Sequence, residues 1–234
     1  MLEVDDLVVR YGPFLALDGI TIKVEPGEIV GVIGPNGAGK SSLARAIGGL
    51  VAPAAGSIRF LGESLQDLPA HHRVIRGLSL VPEGRGLFPQ MSVEENLMMG
   101  GYSLASPTRM AGAMERCFEL FPALKARRRQ IAGTMSGGQQ QMVAVAIGLM
   151  AEPKLCIFDE PSLGLAPIVI EQIGASLKAM RQTGLTVLLI EQNSQLTGAV
   201  ADRVYIMAAG KIHYHDTPAN LLRNPDVLET FLSA

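Results

Sequence analysis

Alternation of apolar and polar positions dominates the first part of the chain and predicts β-strands. The segments LEVDDLVVRYG (2–12) and GITIKVEPGEIVGVIG (19–34) alternate over most of their length, with a turn at YGPF between them. The end of the second segment, EIVGVIG, is a continuous apolar run, which is typical of a parallel strand buried on both faces. GSIRFLGESL (56–65) predicts a short antiparallel pair or an edge strand, and GLSLVPEG (77–84) predicts a further strand.

The apolar period changes to that of helices in two places. SSLARAIGGL (41–50) predicts a helix that stops at Gly48–Gly49. From about residue 87 to 150 the pattern is helical throughout, and Ser92 followed by Glu95 is a capping box that begins one of the helices. These helices are predicted in SVEENLMMGGY (92–102), MAGAMERCFELFPALKAR (110–127) and GGQQQMVAVAIGLMAEP (137–153).

Strand patterns return after Pro153. KLCIFDEP (154–161) and LTVLLIEQ (185–192) predict buried strands, and 166–184 predicts the crossover helix between them. DRVYIMAAGKIHYH (202–215) predicts two short strands, and 217–234 a helical tail. The pattern therefore predicts a single α/β domain over 1–234, with a core of about 1–86 and 151–234 and a helical subdomain of about 87–150.

Composition narrows the class of protein. The 234 residues are 48% hydrophobic and 18% charged, with a net charge of −2, which provides a large core and gives no electrostatic support for a nucleic-acid partner. The one basic cluster, Lys125–Gln130, is interpreted as a solvated helix end or loop. The longest apolar run, 142–151, has ten residues, against the roughly 20 of a membrane-spanning helix. We expect no transmembrane segment or signal peptide.

The cysteines and histidines of the chain are not expected to form a metal site. Cys117 and Cys156 lie far apart, and we expect neither a disulfide nor a metal centre from them. The four histidines are interpreted as surface or packing residues because no cysteine or carboxylate cluster accompanies them. They are His71, His72, His213 and His215.

A glycine-rich segment between a predicted strand and a predicted helix is the first chemical signal. GPNGAGKSS matches the phosphate-binding pattern G-x-x-x-x-G-K-[ST], in which backbone N–H groups bind phosphate oxygens. Lys40 would neutralise the β- and γ-phosphates, and the Ser41 hydroxyl would bind Mg²⁺. The candidate nucleotide-binding residues are Gly34, Pro35, Asn36, Gly37, Ala38, Gly39, Lys40, Ser41 and Ser42.

Two adjacent carboxylates end a later buried strand. In KLCIFDEP, four apolar residues bring Asp159 to the carboxyl end of the strand, where it can hold Mg²⁺ directly or through water. Glu160 follows, and it is the candidate general base that polarises the attacking water. Burying two carboxylates is costly without such a role.

A third motif completes an ordered set. MSGGQQQ (135–141) has Ser136 as a plausible N-cap and two glycines that leave N–H groups open to an anion. In the order GPNGAGKS, MSGGQ, LCIFDEP, the chain resembles ATP-binding-cassette (ABC) ATPases over essentially its whole length. This resemblance implies a P-loop NTPase (RecA-like) core with a mainly parallel sheet, an N-terminal antiparallel β subdomain and an inserted helical subdomain.

The resemblance also implies ligands and partners. Tyr11 matches the aromatic residue that stacks on adenine, and Ser136, Gly137, Gly138 and Gln139 would contact ATP held by a second ABC ATPase subunit, in a homodimer or heterodimer. Hydrolysis of Mg-ATP would then drive membrane permease subunits, with the chain on the cytoplasmic face of the cell membrane. The apolar segment LFPQMSVEENLMM (87–99) would include the groove for a permease helix, with buried core as the competing interpretation.

Three positions depart from the commonest family pattern. Glu83 replaces a metal-sensing Gln, and its carboxylate would still bind Mg²⁺ or one of its waters. Ala166 replaces an Asp, so Ser162 would contribute more of the contact between subunits. Gln192 replaces the switch His and would orient the γ-phosphate or water without titrating. With VPEGRGLFP, EPSLGLAP and VLLIEQN, the chain is similar to the LivF-type ATPase of branched-chain amino-acid uptake systems, which work with a solute-binding protein.

Alternative functions stay open at this point. ATPases for urea, amides or other amino acids are similar. An ABC ATPase acting on nucleic acid or the ribosome is weakened by the net charge of −2 and by the single cassette. A small-molecule P-loop kinase would leave MSGGQ unused. Stimulation of ATP hydrolysis by a permease would separate the transport function from the other two.

Overall fold

The computed structural model describes residues 1–223, which form two sheets and the helices around them. The strands are β1 (Leu2–Tyr11), β2 (Phe14–Val24), β3 (Ile29–Ile33), β4 (Ala55–Phe60), β5 (Glu63–Ser64), β6 (Leu78–Val81), β7 (Leu155–Asp159), β8 (Thr186–Glu191), β9 (Arg203–Ala208) and β10 (Lys211–Asp216). The helices are α1 (Lys40–Gly48), α2 (Ala70–Ile75), α3 (Val93–Gly100), α4 (Pro107–Leu120), α5 (Pro122–Lys125), α6 (Gly137–Leu149), α7 (Pro167–Gln182), α8 (Ser194–Val200) and α9 (Pro218–Leu222), with a 3₁₀ turn at Ala132–Thr134.

The larger sheet has six strands in the order β10-β9-β3-β8-β7-β6. Its neighbours are parallel except for the β9–β10 hairpin. The smaller sheet, in the order β2-β1-β4-β5, is antiparallel throughout. A mainly parallel sheet beside a separate antiparallel one confirms the predicted α/β class, and α3–α6 lie between β6 and β7, where the helical insert was predicted.

The central strands are buried on both faces, as their uninterrupted apolar runs predict. In β7, Leu155 and Ile157 pack into the core beneath the antiparallel sheet and α1. The alternate residues Cys156 and Phe158 pack into the opposite core, with α6 and α7. Because successive side chains of a strand point to opposite faces, one strand supplies both cores.

The predicted helix over 110–127 is wrong in its continuity. α4 ends at Leu120 and α5 begins at Pro122, with Phe121 between them at φ −130°, ψ 74°. A residue before proline is sterically disfavoured in the helical region, so the helix breaks there. Two helices, α2 and α8, have no counterpart among the predicted elements, and the predicted tail beyond residue 223 lies outside the described residues.

Both predicted capping residues of the helical segment begin their helices. The Ser92 hydroxyl accepts from the backbone N–H of Glu95 at 3.3 Å, and the Glu95 carboxylate accepts from the Ser92 N–H at 2.7 Å.

On α3, Val93 and Leu97 are fully buried, whereas Met98 and Met99 are partly exposed. The segment is therefore buried core in part, and its role as a groove for a permease helix stays a prediction. No helix in the described part of the chain has the length and apolar character that a membrane crossing requires.

Cys117 and Cys156 are both free and buried, as the prediction of no disulfide requires. Burial raises the pKa of the Cys117 thiol to about 12. Burial also raises the pKa of the Cys156 thiol, and Ser79 opposes that shift through a hydrogen bond. Both thiols thus stay protonated at neutral pH. Among the described residues, no group of three His, Cys, Asp or Glu side chains is arranged to hold a metal ion.

A buried arginine joins α2 to the carboxyl end of α1. Arg73 is 3% exposed, and its guanidinium donates to the carbonyls of Ala46 and Ile47 at 2.9 and 2.8 Å. It also donates to the carbonyls of Leu65 and Leu68 at 2.6 and 2.7 Å. Burial lowers the pKa of Arg73. The last carbonyls of a helix lack intrahelical donors and carry its negative dipole end, so this cation stabilises the end of α1.

Replacing Arg73 by alanine should lower the free energy of unfolding by about 3 kcal/mol, because buried carbonyls lose their donors. Urea denaturation measures the loss. Arg73→Lys is the matched control: it keeps the charge but not the fork of donors, so its stability should fall between those of the wild type and Arg73→Ala. An Arg73→Ala protein as stable as the wild type would contradict this role.

Candidate active site

The phosphate loop connects β3 to α1 and is shaped by close backbone contacts. A Cβ on Gly34 would lie 2.0 Å from the carbonyl oxygen of Met207, so only glycine fits. Gly39 has φ 101°, and a Cβ there would lie 2.6 Å from the carbonyl oxygen of Ala16. The Ala38 carbonyl accepts from the N–H of Gly210 at 2.9 Å. Glycine is thus required at position 34 because the β9 backbone packs against the loop there, and at position 39 because the β2 backbone does.

Lys40 is buried at the first position of α1 and holds the loop from inside. Its ammonium donates to the carbonyls of Gly34 and Pro35 at 2.9 and 3.0 Å. It also pairs with the Glu160 carboxylate at 3.1 Å, with both side chains almost fully buried. A buried charge is tolerated when it is paired and hydrogen-bonded. The phosphate loop and the candidate general base are therefore in direct contact.

Asp159 lies at the carboxyl end of β7, beside the start of α1. Its Oδ1 accepts from the Ser41 hydroxyl at 3.1 Å. Burial raises the pKa of Asp159 to about 6, with smaller contributions from the charges of Glu160 and Glu83, and the Ser41 bond opposes the shift. The structure thus places two of the three side chains that were predicted to bind Mg²⁺, Ser41 and Asp159, in direct contact. The binding of the ion by these two and by Glu83 stays a prediction.

Lys40, Ser41 and Glu160 line one cleft of about 260 Å³, here named the phosphate cleft, and Asp159 lies behind Ser41 without lining it. Most of the predicted loop residues line this cleft, together with Glu83 and Glu160. Gly34, Pro35 and Ala38 belong to the loop but do not line the cleft. Its lining is Phe14, Ala16, Asn36, Gly37, Gly39, Lys40, Ser41, Ser42, Glu83 and Glu160.

The aromatic residue of the phosphate cleft is not the predicted one. Phe14 lines it and is 64% exposed, whereas Tyr11 does not line it. Tyr11 pairs directly with Phe14 across the β1–β2 turn, so the two rings belong to the same hairpin end. The stacking of Tyr11 on adenine stays a prediction. Phe14 has no motif signal in the sequence, and its place in the cleft is seen only in the tertiary structure.

Gln192 lies in a neighbouring cleft of about 350 Å³, here named the switch cleft. β8 runs parallel to β7, as predicted, and Gln192 is the exposed residue just after its end. Glu160 lines both clefts, so it stands between Gln192 and the phosphate loop. The switch cleft is lined by Glu160, Ser162, Leu163, Gly164, Leu165, Ile170, Glu191, Gln192 and Asn193.

Ser162, which was expected to contribute more of the contact between subunits, is a buried residue in the single chain, and its interface role stays a prediction. It is 5% exposed, and its hydroxyl donates to the buried carboxylate of Glu191 at 2.8 Å. Glu191 was missed as a site residue by the sequence analysis. Its only sequence signal is a carboxylate that ends an apolar strand.

The signature segment MSGGQQQ (135–141) leads into α6. Ser136 is the N-cap, as predicted: its hydroxyl accepts from the N–H of Gln139 at 3.4 Å, and the Gln139 side chain accepts from the Ser136 N–H at 3.1 Å. Neither cleft is lined by Ser136, Gly137, Gly138 or Gln139. Their contact with a nucleotide held by another subunit stays a prediction.

Arg85, which sequence reasoning also missed, joins the Glu83 loop to the signature helix. Its guanidinium donates to the Gln140 side chain. A Cβ on Gly137 would lie 2.9 Å from the same guanidinium. Arg85 adopts φ 74°, which is unusual for a residue with a side chain. The loop that carries Glu83 is thus connected both to the phosphate cleft and to the start of α6.

A glycine-rich loop before a helix, a buried lysine at its end and two carboxylates at the end of β7, a strand of the same parallel sheet, define a P-loop nucleotide-binding ATPase site. The sequence matches the ABC transporter family over residues 17–163. The chain belongs to this family, and it is an ATP-binding, ATP-hydrolysing subunit of that type. Membership decides against the small-molecule kinase alternative.

Three known proteins illustrate the similarity. The chain is 47% identical over 232 residues to the high-affinity branched-chain amino acid transport ATP-binding protein BraG of Pseudomonas aeruginosa, covering 99% of each chain. It is 30% identical to BraF of the same organism, an ATP-binding protein of the same transport function, covering 99% of this chain and 97% of BraF. A nucleotide-free ATP-binding cassette of an ABC transporter superposes with a TM-score of 0.87 at 28% identity, over 98% of this chain and 97% of the other.

Replacing Asp159 by asparagine should stabilise the fold above neutral pH. A carboxyl whose folded pKa is raised binds its proton more tightly in the folded state, so wild-type stability falls as pH rises from about 4 to about 6. Asparagine keeps an acceptor for Ser41 and removes this cost. Urea denaturation at pH 5 and pH 7.5 should show Asp159→Asn gaining more over the wild type at pH 7.5. An equal or smaller gain at pH 7.5 would contradict the burial of a charged Asp159.

Proposed function

We propose that the chain powers the uptake of branched-chain or related amino acids by hydrolysing ATP at the phosphate cleft, as a subunit of an importer. The observation that carries the proposal is the contact between Lys40 of the phosphate loop and Glu160 at the end of β7. It brings the phosphate-binding cation and the base that would activate water within one contact distance. The 47% identity to BraG over nearly the whole chain supports the amino-acid class of substrate.

The individual residues have separate roles in this proposal. Loop residues 34–42 bind the phosphates through backbone N–H groups, and Lys40 neutralises charge on the β- and γ-phosphates. Glu160 accepts a proton from the attacking water, and Gln192 orients the water or the γ-phosphate by hydrogen bonding. Tyr11 stacks on the adenine, with Phe14 beside it on the same hairpin end.

The side chains at the end of the phosphate loop fit Mg²⁺. Ser41 and Asp159 present hard oxygens 3.1 Å apart, and Mg²⁺ takes few protein ligands because it keeps water and phosphate oxygens around it. Glu83 lines the same cleft and would bind the ion or one of its waters. When bound, the ion would neutralise negative charge on the phosphates.

The partner subunits belong to the same proposal. The signature residues 136–139 contact the nucleotide of a second ABC ATPase subunit, and BraF and BraG, two proteins of one organism, support a heterodimer as the native form. The chain lies at the cytoplasmic face of the membrane under two permease subunits. A solute-binding protein delivers the amino acid to these permeases.

A groove between the core and the helical segment is the proposed permease contact. It has a volume of about 280 Å³ and mainly apolar walls from α1, α2, β6 and α6. Leu50 lines it and is 61% exposed. Met98 and Met99 on α3, the helix that ends at the groove residue Gly100, and Tyr102 just after it are also exposed apolar side chains. Apolar surface of this kind marks a protein-binding site.

Replacing Glu160 by glutamine should lower the rate of ATP hydrolysis by about 100-fold or more, because the amide cannot accept the proton. ATP binding should persist because Lys40 keeps its charge, so Mg-ATP should accumulate a dimer visible by size-exclusion chromatography. Lys40→Ala is the control that loses binding itself. Hydrolysis by Glu160→Gln at the wild-type rate would show that Glu160 is not the base.

Replacing Leu50 by aspartate should reduce the factor by which permeases raise ATP hydrolysis, because a charge would be buried in the proposed contact. The measurement is ATP hydrolysis with and without permeases reconstituted in liposomes, alongside uptake of labelled leucine and labelled urea. Leu61→Asp, an exposed apolar residue outside the groove, is the matched control. Equal stimulation of both variants would remove the groove from the proposal, and uptake of urea alone would replace its substrate class.

A further inference from the structure

Glu191 is a buried carboxylate that the proposed reaction does not use. It ends β8, is 1% exposed, and accepts three hydrogen bonds. Its Oε1 accepts from the Ser162 N–H at 2.9 Å. Its Oε2 accepts from the Ser162 hydroxyl at 2.8 Å and from the Asn193 N–H at 3.3 Å. A buried carboxylate is costly, so these bonds offset a large loss of hydration.

The three donors belong to two segments that carry reacting groups. Ser162 is two residues after Glu160, and the Glu160 N–H itself donates to the carbonyl of Ile190 at 2.8 Å. Asn193 follows Gln192, and its side chain caps α8 by accepting from the N–H of Leu196 at 2.9 Å. Gln192 therefore stands between two residues that are both held in place, and the loop after Glu160 is held by the same carboxylate.

We propose that Glu191 is a positioning residue, which fixes the loop after Glu160 and the backbone of Gln192 relative to each other. The inference rests on the proposed hydrolysis of ATP, and it assigns to Glu191 no contact with the substrate. Ser162 is its partner: it connects to Glu191 through both its backbone N–H and its hydroxyl. The pair links β7 to β8 just beyond their last ladder contact, Asp159 with Ile190.

The chemistry of the site requires a carboxylate. All three partners are donors in this geometry, and two of them are backbone N–H groups that cannot reverse their role. A carboxylate accepts on both oxygens, whereas the glutamine amide has one acceptor and one donor. Glu191→Gln would set an NH₂ group against either the Ser162 N–H or the Asn193 N–H. The substitution preserves size and removes the matching of donors to acceptors.

The first measurement reports the positioning directly and needs no activity. Hydrogen–deuterium exchange of the full chain without nucleotide should show the amides of Ser162 and Asn193 exchanging about tenfold faster in Glu191→Gln, because the local opening that exposes them becomes easier. Ser162→Ala, a smaller change that keeps the backbone N–H, should speed exchange less. Amides of α4, which is remote from this contact, are the internal control.

The second measurement separates positioning from a merely structural role. In Glu191→Gln, kcat for ATP hydrolysis should fall about tenfold or more, since misplacing reacting groups by about 1 Å can cost about 100-fold. The KM for ATP should stay within about twofold of the wild type. In a Gln192→Ala background, the same substitution should lower kcat by a clearly smaller factor, because part of its action passes through Gln192.

Three results would overturn the inference: unchanged amide exchange in Glu191→Gln, an unchanged kcat, or a full and independent loss of kcat in the Gln192→Ala background. If Glu191→Gln does not fold, Ser162→Ala decides by the same readouts. Failure of the proposed function is distinguishable, because the Glu160→Gln variant, with Glu191 intact, would then still hydrolyse ATP. The exchange measurement is independent of that outcome.

Discussion

The buried ammonium of Lys40 is the interaction on which the site depends. An isolated ammonium in the interior would cost far more than the protein's net stability, so its position requires every partner to be in place. Those partners come from two distant parts of the chain: the phosphate loop supplies Gly34 and Pro35, and the end of β7 supplies Glu160. The same cation therefore closes the loop on itself and attaches it to the end of β7, which lies beyond β8 in the sheet.

The parallel sheet explains why these groups meet. β3, β7 and β8 are adjacent in the sheet and point the same way, although more than 100 residues separate β3 from β7 in the sequence. Their carboxyl ends carry the phosphate loop, the Asp159–Glu160 pair and the Glu191–Gln192 pair. In open α/β sheets, ligands bind at these ends because the connecting loops diverge there. Strand order thus converts three separate sequence motifs into one site.

The elements and site residues that could be predicted from the sequence are those that hydrophobic periodicity and motif spacing encode. The strand pattern and the phosphate-loop motif were enough to predict Lys40, Ser41 and the Asp159–Glu160 pair as parts of one site. The structure brings Lys40 to Glu160 and Ser41 to Asp159. Arg73 and Glu191 escaped, because each is a charged residue whose role depends on partners brought close only by the tertiary fold. The break at Phe121 was available from the following proline but was outweighed by the helical period. The signature residues 136–139 were predicted to contact a nucleotide on another subunit. Neither the sequence nor the structure of a single chain tests that contact.

The burial of both cysteines has a practical consequence for labelling. Thiol reagents attack the thiolate, and the raised pKa values of Cys117 and Cys156 leave almost none of it at neutral pH. Neither sulfur is accessible to a bulky maleimide in the folded protein. A cysteine introduced at an exposed position would therefore be the one thiol to react. Spectroscopic probes can be attached to this chain without first removing its native cysteines and disturbing its core.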